Sequence, residues 1–240
     1  MTSNTWLERA IDQESASLNL REATLDDVPF CAQAIVEVSA NSLDEPLKLL
    51  RESLGFNTLE ELLEAVLYED SSDLIALKHM VLVEADGAPQ GLVFAYDPSL
   101  GKSMLPDFIK GLLSVRDLNL LKALSGASVT SVQGSLLYLN TLYVSPAMRG
   151  QHLGKLLVKL ALHKASLLGL NGIFLHCFAD NIKALEFYKA LGFKTIEDFA
   201  YPQELYEVHS QGGVFLKLEL NKADPLKLSP ASKQEAANVF

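Results

Sequence analysis

The run Val144-Ser145-Pro146-Ala147-Met148-Arg149-Gly150-Gln151-His152-Leu153-Gly154-Lys155 carries the densest chemistry in this 240-residue chain. It joins an apolar strand pattern to a long helical one. The first amides of a helix lack internal partners and sit at the positive end of its dipole. Gly150 and Gly154 would let an anion approach those amides, and Arg149 and Lys155 add positive charge, which suits a pyrophosphate. The segment is not a P-loop, since Gly-x-x-x-x-Gly-Lys-Ser/Thr is absent. It is not a dinucleotide fingerprint either, because the Gly-x-Gly-x-x-Gly spacing is missing. Taken alone, it could also be a plain strand–loop–helix connection with one surface arginine.

Other reactive types are scattered. His176 and Cys177 are neighbours in an apolar strand pattern. Alternation sends adjacent side chains to opposite faces, so they cannot pair as base and nucleophile, and Cys177 reads as core. The five histidines (His79, His152, His163, His176, His209) show no metal-ligand spacing, so no metal is expected. The acidic run Glu60, Glu61, Glu64, Glu69, Asp70 and Asp73 reads as a solvated helix face, with the entrance for a cationic amine as the alternative.

The elements that must position these residues follow from periodicity. A short helix or ordered leader is expected within 5–17 and a strand over Leu18 to Glu22. Asp26-Asp27 then opens a helix with Val28, Cys31, Ile35 and Val38 on one face. Asn57-Thr58 ahead of Glu60-Glu61 caps a helix reaching about Tyr68. Leu77 to Glu84 and Gly91 to Tyr96 form a hairpin turning at Asp86-Gly87-Ala88-Pro89. Residues 97–134 are irregular, with helical patterning over Phe108 to Leu124. Leu136 to Val144 is a strongly apolar strand. A helix follows with Leu153, Leu156, Leu157, Leu160, Ala161, Leu167 and Leu168 as its apolar face, then a strand from Ile173 to Phe178. Asp180-Asn181 caps a second helix carrying Ala184, Leu185, Tyr188 and Leu191. Phe193 to Phe199 and Val214 to Leu220 are the last strands, and 221–240 reads as a surface tail. The order describes an α/β chain: a mixed sheet with helices packed on it.

Bulk properties narrow the class. Hydrophobic residues make up 49% and charged residues 21%, as in an ordinary globular domain. Twenty basic against thirty acidic residues leave a formal charge of -10, which argues against a nucleic-acid partner. No apolar run reaches the ~20 residues of a membrane span, so no membrane association is expected. Two distant cysteines and no apolar leader point to a reducing, cytoplasmic setting. The Leu-rich stretch 43–67 suits core packing, with a homodimer face as the alternative.

Two segments together resemble a known family. Arg149 to Gly154 is similar to motif A of the GNAT superfamily of N-acetyltransferases, Arg/Gln-x-x-Gly-x-Gly/Ala. His152 stands where the family has its middle glycine, a modest departure if that residue has helical dihedrals, and one that could bring the imidazole to the cofactor. Asn181 to Phe193 is similar to motif B, Asn-x-x-Ala-x-x-x-Tyr-x-x-x-Gly-Phe. Leu20 to Asp27 also resembles the family's opening strand and helix. The resemblance spans most of 18–220 as a single domain and lapses over 41–75 and 97–134, which read as helical insertions.

The resemblance implies a mostly antiparallel central sheet with a splayed parallel strand pair, here 136–144 and 173–178, and flanking helices. It implies acetyl-CoA as co-substrate and a primary amine on a small molecule or protein as acceptor, acetylated by direct attack. Amides of Leu142, Tyr143 and Val144 would pair with the pantetheine arm, joined by Asn181 and Ala184. The loop Arg149, Gly150, Gln151, His152, Leu153, Gly154 and Lys155 would hold the pyrophosphate. Tyr188 matches the tyrosine beside the cofactor sulfur and would return a proton to the leaving thiolate. The family often places a glutamate on the first splayed strand, whereas this strand offers Tyr138, Asn140 and Thr141. Asn140 could order a water, and His176 is the titratable alternative for the base. Without that carboxylate, a catalytically silent acyl-CoA sensor or an interaction protein is the competing reading.

Overall fold

The computed structural model describes residues 18–39, 43–69, 75–100, 111–124, 135–201 and 212–221. The helix expected within 5–17 and the tail from 222 onward lie outside them. Seven strands form one sheet: β1 (Leu18–Glu22), β2 (Met80–Ala85), β3 (Ala88–Tyr96), β4 (Leu136–Val144), β5 (Gly172–Phe178), β6 (Lys194–Phe199) and β7 (Gly213–Glu219). Their order is β1-β2-β3-β4-β5-β7-β6. Every neighbouring pair is antiparallel except β4 and β5.

Helices cover both faces. On one face α5 (Leu153–Leu167) and α6 (Ile182–Ala190) bury Leu153, Leu157, Leu160, Tyr188 and Leu191 against Val93, Leu137, Leu139, Ile173 and Leu175. On the other, α1 (Val28–Ser39), α2 (Asp44–Ser53) and α3 (Leu59–Tyr68) bury Val28, Cys31, Ile35, Leu47, Leu50, Leu62, Leu63 and Leu67 against Leu82, Leu92, Phe94, Tyr138 and Phe174. The Leu-rich stretch is therefore largely core, although Leu49 remains 63% exposed. Val38, expected on the buried face of α1, is 36% exposed because it lies in the last turn, past the edge of that core, and Leu167 and Leu168, expected on the apolar face of α5, are exposed at its C-terminal end for the same reason.

Local chemistry sets the boundaries. Thr58 Oγ1 accepts from the Glu61 amide at 3.2 Å while the Glu61 carboxylate accepts from the Asn57 amide at 2.6 Å, which starts α3 where the sequence places it. Asp86 and Gly87 both have positive φ and close the β2–β3 hairpin as a two-residue turn. One boundary differs from expectation. Leu77–His79 forms a 3-10 turn closed by His79 N–H to Ala76 C=O, so β2 begins only at Met80. Of the helical pattern expected over Phe108 to Leu124, α4 (Val115–Leu124) lies among the described residues, and Ser114 and Asp117 exchange hydrogen bonds as its cap. Residues 101–110 and 125–134 lie outside the described residues. Arg21 anchors the opening segment with bonds of 2.6–2.7 Å to Asp27 and 2.6 Å to Glu84.

Candidate active site at the β4–β5 separation

Strand β4 changes register midway. Phe94 faces Thr141 and Ala95 faces Leu139, which leaves Asn140 as an extra residue in a bulge. Parity shifts across it. Leu137 and Leu139 point into the α5 core before the bulge, and Leu142 and Val144 pack against the same core after it. Lys164 of α5 braces the opposite strand, donating to the Ala95 carbonyl at 2.6 Å and the His79 carbonyl at 3.4 Å. Burial lowers its pKa to about 8.

The bulge sits where β4 leaves β5. Their parallel pairing covers only Leu136–Tyr138 with Gly172–Phe174. Beyond it, β4 runs to Val144 beside β3, and β5 runs to Phe178 beside β7. From Leu139 onward the β5-facing edge of β4 has no strand partner among the described residues, so backbone amides there are available to a ligand. Leu142, Tyr143 and Val144 lie on this stretch.

The strand continues through a 3-10 turn (Pro146–Met148) into a tight loop. Gly150 has φ +80° and His152 φ +59°, ψ 8°. His152 is therefore left-handed, not helical as its expected tolerance required, and it caps α5 from outside the helix. A Cβ there costs roughly 1–2 kcal/mol. The first helical bond runs from Leu156 N–H to His152 C=O, so the amides of Leu153, Gly154 and Lys155 precede the helical ladder. Gly154 packs closely against α6: a Cβ there would lie 3.1 Å from the Phe187 ring, which would have to shift to admit it. Arg149 is exposed; it donates through Nε to Val144 O at 3.1 Å and pairs with Glu37 of α1 at 3.0 Å. Gln151 donates to Ala147 O at 3.3 Å and tightens the same loop.

Tyr188 and His176 occupy opposite faces of the sheet. Tyr188 lies on the α6 side near Cys177, its ring edge-on to Phe187 and Phe193. Burial raises its pKa well above 10, so the phenol stays protonated, and its hydroxyl has no partner among the described residues. Burial also pushes the Cys177 thiol up to about 12, consistent with a core role. His176 stacks on Tyr138 among Phe178, Phe199 and Phe215, and its Nδ1 lies 2.6 Å from the Tyr138 hydroxyl. Burial lowers its pKa to about 4. That makes it a weak base at neutral pH. Beside this pair, Thr141 Oγ1 donates to Asn140 Oδ1 at 2.9 Å, and the Asn140 side chain lies close enough to the Tyr96 and Tyr138 hydroxyls to favour their ionised forms slightly against the dominant effect of burial. Asn181 Oδ1 accepts from the Ala184 amide at 3.2 Å and caps α6.

The structure thus gathers Asn140 and His176 on one side of the strand separation, Tyr188 on the other, and the loop 149–155 at its end. Sequence reasoning missed Lys164, Tyr96 and Glu37. Lys164 left a trace: it follows Leu160 by four and Ala161 by three, a lysine within an apolar stripe. Tyr96 and Glu37 left none. Among the described residues no group of His, Cys, Asp and Glu could hold a metal, and no helix is long and apolar enough to cross a membrane.

Comparison with known proteins agrees with this geometry. The fold is similar to that of an N-acetyltransferase from Staphylococcus aureus Mu50, at 19% identity over 83% of this chain and 100% of that one, with TM-score 0.57. A structure described only as an acetyltransferase matches at 17% identity over 85% of this chain and 100% of that chain, with TM-score 0.54. A GNAT-family acetyltransferase structure from Desulfovibrio desulfuricans matches at 14% identity over 84% and 98%, with TM-score 0.50. No curated protein matches the chain in sequence. The model of the acetyltransferase (GNAT) family matches residues 49–193, more than half of the chain, which therefore belongs to the GNAT acetyltransferase family.

Proposed function

We propose that the chain transfers an acetyl group from acetyl-CoA to a primary amine by direct attack, within the space where β4 and β5 part. The observation that carries this reading is that parting: pairing stops at Tyr138 and Phe174 while both strands run on. The exposed edge of Leu142 to Val144 can take an extended pantetheine arm as a pseudo-strand. The free amides of Leu153, Gly154 and Lys155, with Arg149, Gly150, Gln151 and His152 around them, suit its pyrophosphate. Asn181 and Ala184 at the start of α6 close the same side.

Holding amine and thioester together supplies most of the effect. An amide of β4 polarises the carbonyl, and water ordered near Asn140 takes the ammonium proton. Tyr188 keeps its proton, because its raised pKa places full transfer to a thiolate (ordinary pKa ~8.5) uphill. It serves as a hydrogen-bond donor that stabilises the departing sulfur. Thiol release from acetyl-CoA with a panel of primary amines tests the reading. Turnover is expected with at least one amine, and Tyr188→Phe should lower kcat about tenfold or more with little change in KM for acetyl-CoA. Unchanged kcat would remove Tyr188 from the mechanism. The absence of a carboxylate on β4 favours an acyl-CoA sensor as the second reading. That reading predicts acetyl-CoA binding with no thiol release for any amine.

A further inference from the structure

We infer that His176 acts as a hydrogen-bond donor through Nε2–H, fixed in that tautomer by Tyr138 and directed at the acyl oxygen of the bound thioester. The inference deepens the acetyl-transfer reading and rests on it for the identity of the oxygen. The tautomer follows from the polarity of the hydrogen bond between Tyr138 and His176. Thr141 Oγ1–H donates to Asn140 Oδ1 at 2.9 Å, which occupies that oxygen as an acceptor. The Tyr138 hydroxyl has one hydrogen-bond partner among the described residues, His176 Nδ1. Its own hydrogen must go to an acceptor, since a buried hydroxyl does not leave its donor unused. The acceptor within reach is His176 Nδ1 at 2.6 Å. A neutral imidazole that accepts at Nδ1 carries its hydrogen on Nε2.

His176 is only partly buried, and its Nε2 has no hydrogen-bond partner among the described residues. His176 lies two residues past Phe174, where β5 has lost β4, so it stands on the wall of the strand separation. Among the described residues, the rings packed around it are Tyr138 from β4, Phe178 from β5, Phe199 from β6 and Phe215 from β7. None of them carries charge at neutral pH. Burial without a counter-charge keeps the ring neutral, its pKa pushed down to about 4. The Nε2 hydrogen is then present throughout the neutral range. As the amine nitrogen bonds to the acyl carbon, the carbonyl π pair moves onto oxygen. The Nε2–H hydrogen bond strengthens with that charge and gives up no proton. When the C–S bond breaks, the pair returns to the carbonyl, the sulfur leaves as thiolate toward Tyr188, and the amide nitrogen gives its surplus proton to solvent water. Donation to the developing oxyanion is the kind of contact that lowers a barrier rather than tightening ground-state binding.

The ligand-free protein gives the first test. Side-chain 15N spectra of His176 are expected to show the neutral Nε2–H tautomer with no titration between pH 5.5 and 8. Tyr138→Phe should mix the tautomers. An Nδ1–H ring, or a titration between pH 6 and 7.5, would overturn the assignment, and neither readout depends on acetyl transfer. The second test is thiol release. His176→Gln keeps a donor near Nε2 and should retain several-fold more kcat than His176→Ala, with both variants matched to wild type by circular dichroism. Equal kcat in wild type and the folded His176→Ala variant would overturn the donor role. A correct tautomer in a wild-type protein that releases no thiol with any amine would overturn the acyl-oxygen assignment through the parent reading.

Discussion

At the scale of single residues, the sequence reading was strongest where a residue type has one physical use and weakest where environment decides. Asn181 is legible as a cap because its short side chain can satisfy a helix N-terminus, and it does so at the Ala184 amide. His176 was legible as a polar group in an apolar strand, but its role was not. Its protonation depends on Tyr138, thirty-eight positions away, and on burial, neither of which local pattern reveals. His152 is the sharpest departure, holding a left-handed conformation where the family motif has glycine. His152→Gly should relieve that strain, less the entropy that glycine loses on folding, for a net gain of about 0.5–1 kcal/mol in the ligand-free protein. Chemical denaturation checks this. A loss instead would show that the imidazole makes interactions that outweigh the strain. A loss of acetyl-CoA affinity in the same variant would place it on the ligand.

At the scale of elements, strands and helices were legible because apolar periodicity and caps are local. The Asn140 bulge was not, since the string Tyr138-Leu139-Asn140-Thr141-Leu142 reads as an unbroken strand. Only pairing with β3 shows that one residue is extra. Lys164 ties α5 to that bulge, and its depressed pKa gives the brace a pH signature. A lysine at about 8 when folded and about 10.4 when unfolded binds fewer protons in the native state across that interval. Its contribution to stability therefore rises with pH from about 8 to 10 and is constant below. The stability difference between wild type and Lys164→Met should move in favour of wild type over pH 8 to 10 in denaturant titrations. A difference that stays flat would mean Lys164 titrates normally and the brace is solvated. Loss of both carbonyl contacts should also cost about 1–3 kcal/mol at neutral pH.

At the scale of the whole molecule, two packed faces hold one sheet open at its centre. The α5–α6 core grips β4 on both sides of the bulge, and the α1–α3 core grips β2, β3 and the paired stretch of β4 and β5. With both faces clamped, the separation beyond Tyr138 and Phe174 is a fixed feature available before any ligand arrives. Such preorganisation is what acyl transfer by proximity needs. The central claim is therefore that this opening binds acetyl-CoA. Thermal unfolding with and without acetyl-CoA tests it most directly. At about one hundred times Kd the account predicts about 2.7 kcal/mol of stabilisation, a rise of roughly 5–10 °C in Tm for a chain of this size. No shift at millimolar acetyl-CoA would contradict it.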